Sequence, residues 1–238
     1  MPKYFFEQSK PLTIGDEIIL EGDTAFHLTN VLRVRQGEKL ILCNGDNTDY
    51  ATAITSVAKN IFCIVENILP CTTEPKHRVT LYQAMPKGDK MDLIIQKAVE
   101  LGVHEICPVI TSRSLIKIKD GEKKAERYNR IAESAAGQSM RGIIPKVHKP
   151  INLKDAAANN LTFVAYEEEQ AFSLKTALQS FDSYEISIWI GPEGGFTPEE
   201  ILSLQKQGAA PVSLGKRILR TETAAIAAIA QILCFLED

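Results

Sequence analysis

The sequence lacks most of the features that mark secreted and metal-binding proteins. Its five cysteines include no C-x-x-C pair, and it has only four histidines. An odd number of cysteines fits free thiols in a reducing compartment better than a disulfide framework. No cysteine lies near a histidine at the spacing of a zinc site. We therefore expect free thiols and no bound metal.

A secretion signal and a membrane span are also missing. The first residues, MPKYFFEQSKP, contain no apolar stretch of the kind that a signal peptide needs. The longest apolar run, residues 224–236, is interrupted by Gln231. It is shorter than the roughly 18–20 residues that cross a bilayer. These absences predict a soluble, cytoplasmic protein with no membrane partner.

Charge is spread unevenly along the chain, whose net charge is −3. Residues 72–149 carry 15 Lys and Arg against 9 Asp and Glu, a local net charge of +6. A basic segment inside an acidic chain fits an anionic partner such as nucleic acid. A solvated, lysine-rich helix face explains the same charges more simply. Charge alone therefore leaves both interpretations open.

The hydrophobic pattern changes near residue 72. Before it, short apolar strands separated by turn signals predict a small β-barrel or half-open sheet, with one helix over 25–35. The polar segment 70–78 contains two prolines and is the predicted linker. After it, strands alternate with helices, which is typical of a parallel sheet covered on both faces. The predicted fold class is α/β, with domains at 1–72 and 73–238.

Two loops at the ends of predicted strands carry the chemistry. The first, 191–196, leads into a helix, because Thr197, Pro198 and Glu200 form a helix start with a capping box. Open α/β sheets bind ligands at such loops. This one lacks the P-loop and G-x-G-x-x-G patterns, and Glu193 would repel a phosphate. It suits a ligand with hydroxyls, an adenine edge or a positive centre.

The second loop follows a strand predicted over 210–215 and contains three cations, Lys216, Arg217 and Arg220. The next helix is apolar on nearly every face, so it has to be buried against the core or a second subunit. Free N–H groups at its first turn, with the arginines, make an anion site. Each loop could also be a turn or a structural anchor. Together they fit a reaction between a charged cofactor and a nucleic acid.

The residues IGPEGGFTPEE (190–200) and LGKRILRTETA (214–224) resemble the ribosomal RNA small subunit methyltransferase E family. The resemblance extends to HLTNVLRVRQGEKL (27–40), MPKGDKMDLIIQKAVELGVHEICPV (85–109), RSLIK (113–117) and RIAESAAGQSMRGIIPKV (130–147). These are S-adenosylmethionine-dependent enzymes of the SPOUT class that methylate N3 of a uridine in 16S ribosomal RNA. The resemblance implies an N-terminal PUA-like β-barrel for RNA binding, a C-terminal SPOUT domain with a trefoil knot, and a homodimer.

The resemblance also implies a cofactor and site residues. S-adenosylmethionine is expected, because its sulfonium is positive, its ribose offers hydroxyls and it has no phosphate. Arg220 is expected to stabilise the uracil anion that forms when N3 loses its proton, with Arg217 or Lys3 as helpers. Glu193 and Glu222 are the nearest carboxylates for a general base. The expected cofactor contacts are Ile190, Gly191, Pro192, Glu193, Gly194, Gly195, Leu214, Gly215, Ile218, Leu219, Arg220, Thr223 and Ala224. The expected contacts with 16S ribosomal RNA or the small ribosomal subunit are Lys3, Arg33, Arg35, Arg113, Gln138, Arg141 and Arg217.

Three positions depart from the family pattern. Lys3 stands where arginine is usual, and Lys216 stands where proline is usual. Gly137 lies inside a predicted helix, where glycine costs roughly 0.5–1 kcal/mol relative to alanine. None lies at an essential position of the two loops. Two other functions stay open: a methyltransferase of the same fold acting on transfer RNA or 2′-hydroxyls, and a non-catalytic RNA-binding or assembly factor.

Overall fold

The computed structural model describes residues 3–7, 10–114, 120–156, 161–179 and 183–237. The chain divides into two compact units, Met1–Glu74 with Ala136–Ile144, and Pro75–Ala135 with Pro145–Asp238. The segment Ala136–Ile144 was predicted to belong to the C-terminal domain. The hydrophobic pattern of a sequence depends on neighbouring residues only. It therefore could not show that this segment packs with the first unit. Residues 115–117 of the RSLIK motif lie outside the described residues.

A five-stranded sheet forms the first unit. Its strands are β1 (Lys3–Phe5), β2 (Glu17–Leu20), β3 (Lys39–Cys43), β4 (Thr48–Val57) and β5 (Ile61–Pro70), in the order β1-β3-β4-β5-β2. Strand β1 pairs with β3 in parallel, and the other pairs are antiparallel. Tyr50, Leu42 and Ile61 are buried in its core. The predicted strands of this unit are present, whereas β1 was not predicted.

The helix predicted over residues 25–35 is shorter and less regular. Residues Gly22–Phe26 form α1, and His27–Leu32 continue it as a π-helical turn. Arg33 ends the turn with a left-handed backbone, φ +55°. Leu28 is buried, whereas Phe26 is 65% exposed. The apolar residues of this segment therefore do not form a single buried face.

A parallel sheet forms the second unit. Its strands are β6 (Arg78–Ala84), β7 (Glu105–Ile110), β8 (Lys146–Val147), β9 (Ile151–Asn152), β10 (Leu161–Ala165), β11 (Glu185–Ile190) and β12 (Ala210–Val212). Their order is β12-β10-β11-β6-β7-β8, with β9 paired to β7. Each of these pairs is parallel. The α/β prediction is confirmed, and the carboxyl ends of the strands meet at one edge. The trefoil knot stays a prediction from the resemblance.

Among the described residues, five α-helices accompany this sheet: α2 (Lys90–Leu101), α3 (Gly121–Gln138), α4 (Leu174–Gln179), α5 (Pro198–Lys206) and α6 (Thr221–Glu237). Helix α5 begins with the predicted capping box, in which Thr197 and Glu200 exchange hydrogen bonds through side chain and backbone. Helix α2 ends at Gly102, whose left-handed φ of +108° explains the glycine. Helix α3 was predicted to run to residue 141. It ends earlier, and Met140 beyond it has a left-handed φ of +61°.

Helix α6 packs against α2 and α4. Its buried residues are Thr221, Ala225, Ala228, Ile229, Ile232 and Leu233. Cys234 and Phe235 face outward, and Phe235 is 38% exposed. The prediction of a buried apolar helix therefore holds for one face. In the described part of the chain, no helix is long and apolar enough to cross a membrane.

Candidate cofactor site at the carboxyl edge of the sheet

The two predicted cofactor loops lie at the same edge of the sheet. Strand β10 pairs with β11 on one side and with β12 on the other. Since all three are parallel, the loop 191–196 after β11 and the loop 213–220 after β12 leave the sheet in the same direction. A hydrogen bond of 2.6 Å from the Thr221 hydroxyl to the Gly191 carbonyl oxygen joins the segments directly. The structure thus brings the two loops together.

Two glycines of loop 191–196 are required by its own backbone. A Cβ at Gly191 would lie 3.3 Å from the Cα and carbonyl carbon of Gly195, which is tighter than an ordinary contact. Gly195 itself has φ +68°, a left-handed conformation that side chains disfavour. A Cβ at Gly195 would also overlap the carboxylate of Glu167, which follows β10. The loop is therefore folded tightly on itself and against the neighbouring loop.

Arg113, which follows β7, holds the same loop from another side. Its guanidinium donates hydrogen bonds to the carbonyl oxygens of Gly194, at 2.5 Å, and Phe196, at 3.3 Å. A Cβ at Gly194 would lie 3.4 Å from Cδ of Arg113, an ordinary contact distance. The sequence predicts a contact of Arg113 with RNA. Its Nη1 group therefore helps to shape this loop, while the residue itself is exposed and its contact with RNA stays a prediction.

Glu193 is anchored to the first turn of α2. Its carboxylate accepts hydrogen bonds from the Lys90 ammonium, at 2.9 Å, and from the backbone N–H of Lys87, at 3.1 Å. Burial by itself would raise the pKa of Glu193, but the hydrogen bonds from Lys90, its own N–H and the Lys87 N–H outweigh it and lower the pKa. A carboxylate with a lowered pKa is a weak base. The arrangement therefore argues against the predicted catalytic role of Glu193.

The second loop is open and carries free cations. Gly215 has φ +125°, and no atom lies within 4 Å of the position of its missing Cβ. Lys216, Arg217 and Arg220 are exposed. Over the described ranges of the chain, none of these three side chains forms a hydrogen bond or ion pair. Ile218 is 89% exposed between them. The loop presents cationic and apolar groups that internal contacts do not use.

The remaining predicted cofactor residues lie in the same two segments. Ile190 and Pro192 are buried, Leu214, Leu219 and Ala224 are half-buried, and Thr223 is exposed. All predicted cofactor contacts thus fall at one sheet edge of the second unit. Their individual contacts with a cofactor stay predictions.

Comparisons with known proteins identify the family. A family model described as an RNA methyltransferase domain matches residues 72–233, and one described as an RNA methyltransferase PUA domain matches residues 20–66. The ribosomal RNA small subunit methyltransferase E of Bacillus subtilis is 34% identical over 98% of this chain and 96% of its own length. The chain belongs to the ribosomal RNA small subunit methyltransferase E family. The resemblance inferred from the two loops is confirmed.

Solved structures of related proteins match this chain over both of its units. A ribosomal RNA small subunit methyltransferase E from Neisseria gonorrhoeae, bound to S-adenosyl methionine, matches with a TM-score of 0.87 and 33% identity, covering 97% of this chain and 95% of that one. A methyltransferase from Legionella pneumophila, in complex with the cofactor SAM, matches with a TM-score of 0.87 and 33% identity. The match covers 98% of this chain and 96% of that one.

Two predicted RNA contacts of this family member prove to be structural. The Lys3 side chain is fully buried in the first unit, 2.6 Å from the Asp49 carboxylate. It also donates to the carbonyl oxygens of Met140 and Arg141, each at 3.0 Å. Arg141 is 2% exposed and pairs with Glu74 at 2.6 Å. Because both cations are buried and paired internally, Lys3 and Arg141 are removed from the proposed RNA contacts, and Lys3 from the helpers of Arg220.

The buried Lys3 also explains the glycine inside α3. A Cβ at Gly137 would lie 2.9 Å from the backbone carbonyl oxygen of Lys3, closer than real Cβ contacts. The loss of helix stability expected from glycine is thus offset, because the glycine allows the backbones at Gly137 and Lys3 to pack closely. Arg33, Arg35 and Gln138 are exposed in this unit and stay in the predicted RNA-contact set.

Sequence reasoning missed three residues that organise the site. Gln83, Lys90 and Thr221 each bond to a residue more than 25 positions away. Gln83 did carry a signal, since it is a lone amide near the end of the apolar strand VTLYQAM. The other two look like ordinary first-turn residues of their helices. Within the described residues, no group of three or more His, Cys, Asp or Glu side chains is arranged to hold a metal ion.

Proposed function

We propose that this protein transfers a methyl group from S-adenosylmethionine to N3 of a uridine in the 16S ribosomal RNA of the small subunit. The observation that carries the proposal is the junction of loops 191–196 and 213–220, joined by the Thr221–Gly191 hydrogen bond. Family membership supports the reaction type, and the two bound relatives support the cofactor. Uridine N3 as the acceptor rests on the resemblance.

The residues at the sheet edge fit S-adenosylmethionine. The space above Gly215 is open to a ligand, whereas Gly191 and Gly195 are needed because their Cβ positions face other atoms of the protein. Loop 191–196 contains no lysine or arginine for a phosphate, which suits an adenosine without one. When bound, the cofactor supplies an electrophilic methyl group on a positively charged sulfur. The backbone groups proposed to hold its adenosine belong to Ile190, Gly191, Gly195, Leu214, Ile218 and Leu219.

Arg220 is the residue proposed to act on the uracil. N3 is protonated at neutral pH and has to lose its proton before it can attack. A cation near O2 or O4 lowers the pKa of N3 because it favours the anion. Arg220 is exposed beside the cofactor loops and, among the described residues, has no internal partner that would hold it back. Its guanidinium is therefore free to approach the uracil and to stabilise the developing negative charge.

The proton on N3 needs no dedicated carboxylate in this scheme. Glu193 is occupied by Lys90 and the Lys87 N–H, and Glu222 lies 3.4 Å from the same Lys90 ammonium. We propose that both anchor the loops. Arg220 stabilises the uracil anion and so lowers the pKa of N3, and the proton of N3 is transferred to water.

The partners follow from the same proposal. Exposed Arg33, Arg35 and Gln138 of the first unit and Arg217 of the second are proposed to contact RNA phosphates. The protein is proposed to act as a homodimer in the cytoplasm, with α6 at or near the subunit interface. Exposed apolar side chains at the end of α6 favour this arrangement.

Mapping the modified nucleotide by mass spectrometry tests the proposal. Purified protein is incubated with methyl-labelled S-adenosylmethionine and either naked 16S ribosomal RNA, assembled small subunits or transfer RNA. We expect one N3-methyluridine in the 16S ribosomal RNA, formed much more slowly with Arg220→Ala. Methylation of transfer RNA or of a 2′-hydroxyl would assign another reaction of the same fold. Cofactor binding without any methyl transfer would indicate an assembly factor.

A further inference from the structure

A buried hydrogen-bond chain connects the centre of the sheet with both cofactor loops. Gln83, on strand β6, is fully buried, and its amide nitrogen donates to the Thr221 hydroxyl at 3.0 Å. The same nitrogen donates to the carbonyl oxygen of Ala84 at 2.9 Å. Thr221 then donates to the Gly191 carbonyl oxygen at 2.6 Å. The chain thus runs from β6 through the first residue of α6 to the first residue of the glycine loop.

The available donor hydrogens allow only one direction for this hydrogen-bond chain. A threonine hydroxyl has a single hydrogen, and here that hydrogen is used on the carbonyl of Gly191. The Gln83 nitrogen must therefore face Thr221, because the amide oxygen would meet a hydroxyl with no hydrogen left. The same amide nitrogen faces the carbonyl of Ala84, which only accepts. Both N–H groups of the amide are occupied, and the orientation of the amide is fixed by its neighbours.

The amide oxygen of Gln83 shows that glutamine is not the most stabilising residue for this buried position. The oxygen is buried and has no hydrogen-bond partner among the described residues. An unpaired buried acceptor is destabilising, and an apolar side chain of the same size would avoid that cost. The neighbouring buried positions Leu81 and Val79 of the same strand are apolar. The glutamine is therefore present for its two donors rather than for packing.

We propose that Gln83 is a positioning residue for the cofactor site, a role that rests on the function proposed above. Through its donor it orients the Thr221 hydroxyl, and through Thr221 it fixes the carbonyl of Gly191 and the distance between the two cofactor loops. Gln83 itself need not touch the cofactor or the RNA. Loss of its donor leaves the Thr221 hydroxyl free to rotate, so the loops no longer present a preformed site.

Three substitutions separate positioning from packing. Gln83→Met keeps the volume and removes the donors, and Gln83→Glu replaces the donor nitrogen with an acceptor that competes for the Thr221 hydrogen. Thr80→Val is the matched control, because Thr80 is buried on the same strand and bonds to Glu105 at 3.2 Å, at the opposite end of β6. The measurements are the Kd of S-adenosylmethionine by calorimetry, KM and kcat for methylation, and unfolding in urea.

We expect Gln83→Met and Gln83→Glu to weaken cofactor binding about ten-fold, the effect of losing one buried hydrogen bond. Gln83→Met is expected to remain as stable as the original protein, since the unpaired oxygen is lost as well. Thr80→Val is expected to bind the cofactor normally. Unchanged Kd in both Gln83 variants would overturn the proposal. Absence of cofactor binding by the unaltered protein would instead refute the proposed function.

A second pair of variants keeps the test decisive if the Gln83 variants do not fold. Thr221→Ser retains the hydroxyl and is expected to bind the cofactor like the original protein, whereas Thr221→Val lacks it and is expected to lose about ten-fold. In the double variant with Gln83→Met, the Thr221→Val change is expected to add little, because both act through one chain. Fully additive effects, or a Thr221→Val variant with normal affinity, would contradict the chain.

Discussion

The ammonium group of Lys90 lies 2.9 Å from a carboxylate oxygen of Glu193 and 3.4 Å from a carboxylate oxygen of Glu222. One side chain from the first turn of α2 therefore links the loop after β11 with the first turn of α6. The hydrogen bond from the Lys87 N–H to Glu193 adds a backbone contact at the same place. The loop 191–196 and the start of α6 are thus both tied to an element more than 100 residues away in the sequence.

Replacing Lys90 tests whether this link supports cofactor binding. Lys90→Met is expected to weaken S-adenosylmethionine binding by a factor of about two to five, because the ion pair is partly exposed and such pairs contribute modestly. Lys97→Met is the control, since Lys97 pairs with Glu100 at 2.8 Å on the same helix, between side chains outside the site. Calorimetry gives both affinities. Equal effects of the two substitutions would show that the link is only a surface ion pair.

The same ion pair should not titrate within the range of an activity assay. The pKa of Lys90 is raised, mainly by the hydrogen bond to Glu193, so its contribution is present below the ordinary value of 10.5 and lost as the pH rises through the raised value. The pKa of Glu193 is lowered, so its contribution is present above the ordinary value of 4.5 and lost as the pH falls through the lowered value. We expect a constant cofactor Kd from about pH 6 to 9, a range between the two ordinary values. A step in Kd inside that range, absent from Lys90→Met, would contradict the assignment.

Arg220→Ala is expected to reduce turnover far more than cofactor affinity. The loss should be on the order of 10²–10³, the scale for one preorganised electrostatic group. Part of the rate should return at higher pH, because uracil then ionises without help. Arg220→Lys should be intermediate, since a point charge lacks the planar fork. Single-turnover methylation at roughly pH 6.5–9.5, between the ordinary pKa values of His and Lys, measures this.

Arg217→Ala provides the comparison for Arg220. Arg217 is proposed to contact phosphate, so its loss should raise KM for RNA and reduce the salt dependence of binding by about one unit of slope.

Normal turnover of Arg220→Ala, or a loss confined to cofactor affinity, would remove Arg220 from the chemistry.

The ion pair between Lys3 and Asp49 is expected to stabilise the first unit. Asp49→Asn leaves the buried ammonium without its counter-charge, which should cost about 3–5 kcal/mol of unfolding free energy. Glu66→Gln is the control, because Glu66 pairs with Lys39 at 2.9 Å on the surface and should cost less than about 1 kcal/mol. Urea unfolding measures both. Equal stability of the two variants would refute the structural role assigned to Lys3.

Gly137→Ala should destabilise the protein although alanine is the better helix former. The gain in helix propensity is roughly 0.5–1 kcal/mol, but the new Cβ would press on the Lys3 carbonyl oxygen, and overpacking typically costs about 1–3 kcal/mol. Ser134→Ala, at an exposed position of the same helix, should change stability little. Thermal unfolding of both variants checks the sign, and a more stable Gly137→Ala protein would contradict the close packing.

Helix α6 is expected to take part in a homodimer. Phe235 is 38% exposed and lines an apolar hollow between α4 and α6 with Leu178 and Cys234. Phe235→Glu should shift the dimer toward monomers, whereas Leu202→Glu, at a 57% exposed position of α5, should not. Light scattering at micromolar concentration reports the mass. A stable, active monomer of the unaltered protein would refute the dimer.

The sequence by itself determined the features that depend on neighbouring residues. The capping box at Thr197, the glycine end of α2 at Gly102 and the strand before loop 191–196 were predicted because their causes lie within a few positions. The parallel sheet also followed, since alternating strands and helices have few other ways to pack. The family resemblance supplied the cofactor and the importance of both loops.

Only the tertiary structure decided which distant residues meet. Lys3 and Arg141 look like RNA-binding cations in the sequence, yet packing buries them against Asp49 and Glu74. Glu193 looks like a free carboxylate, but Lys90 occupies it across 103 positions. Gln83 meets Thr221 across 138 positions. Whether a charged or polar side chain is free to react depends on these partners, and burial and partners are set by packing between elements rather than by residues nearby in the chain.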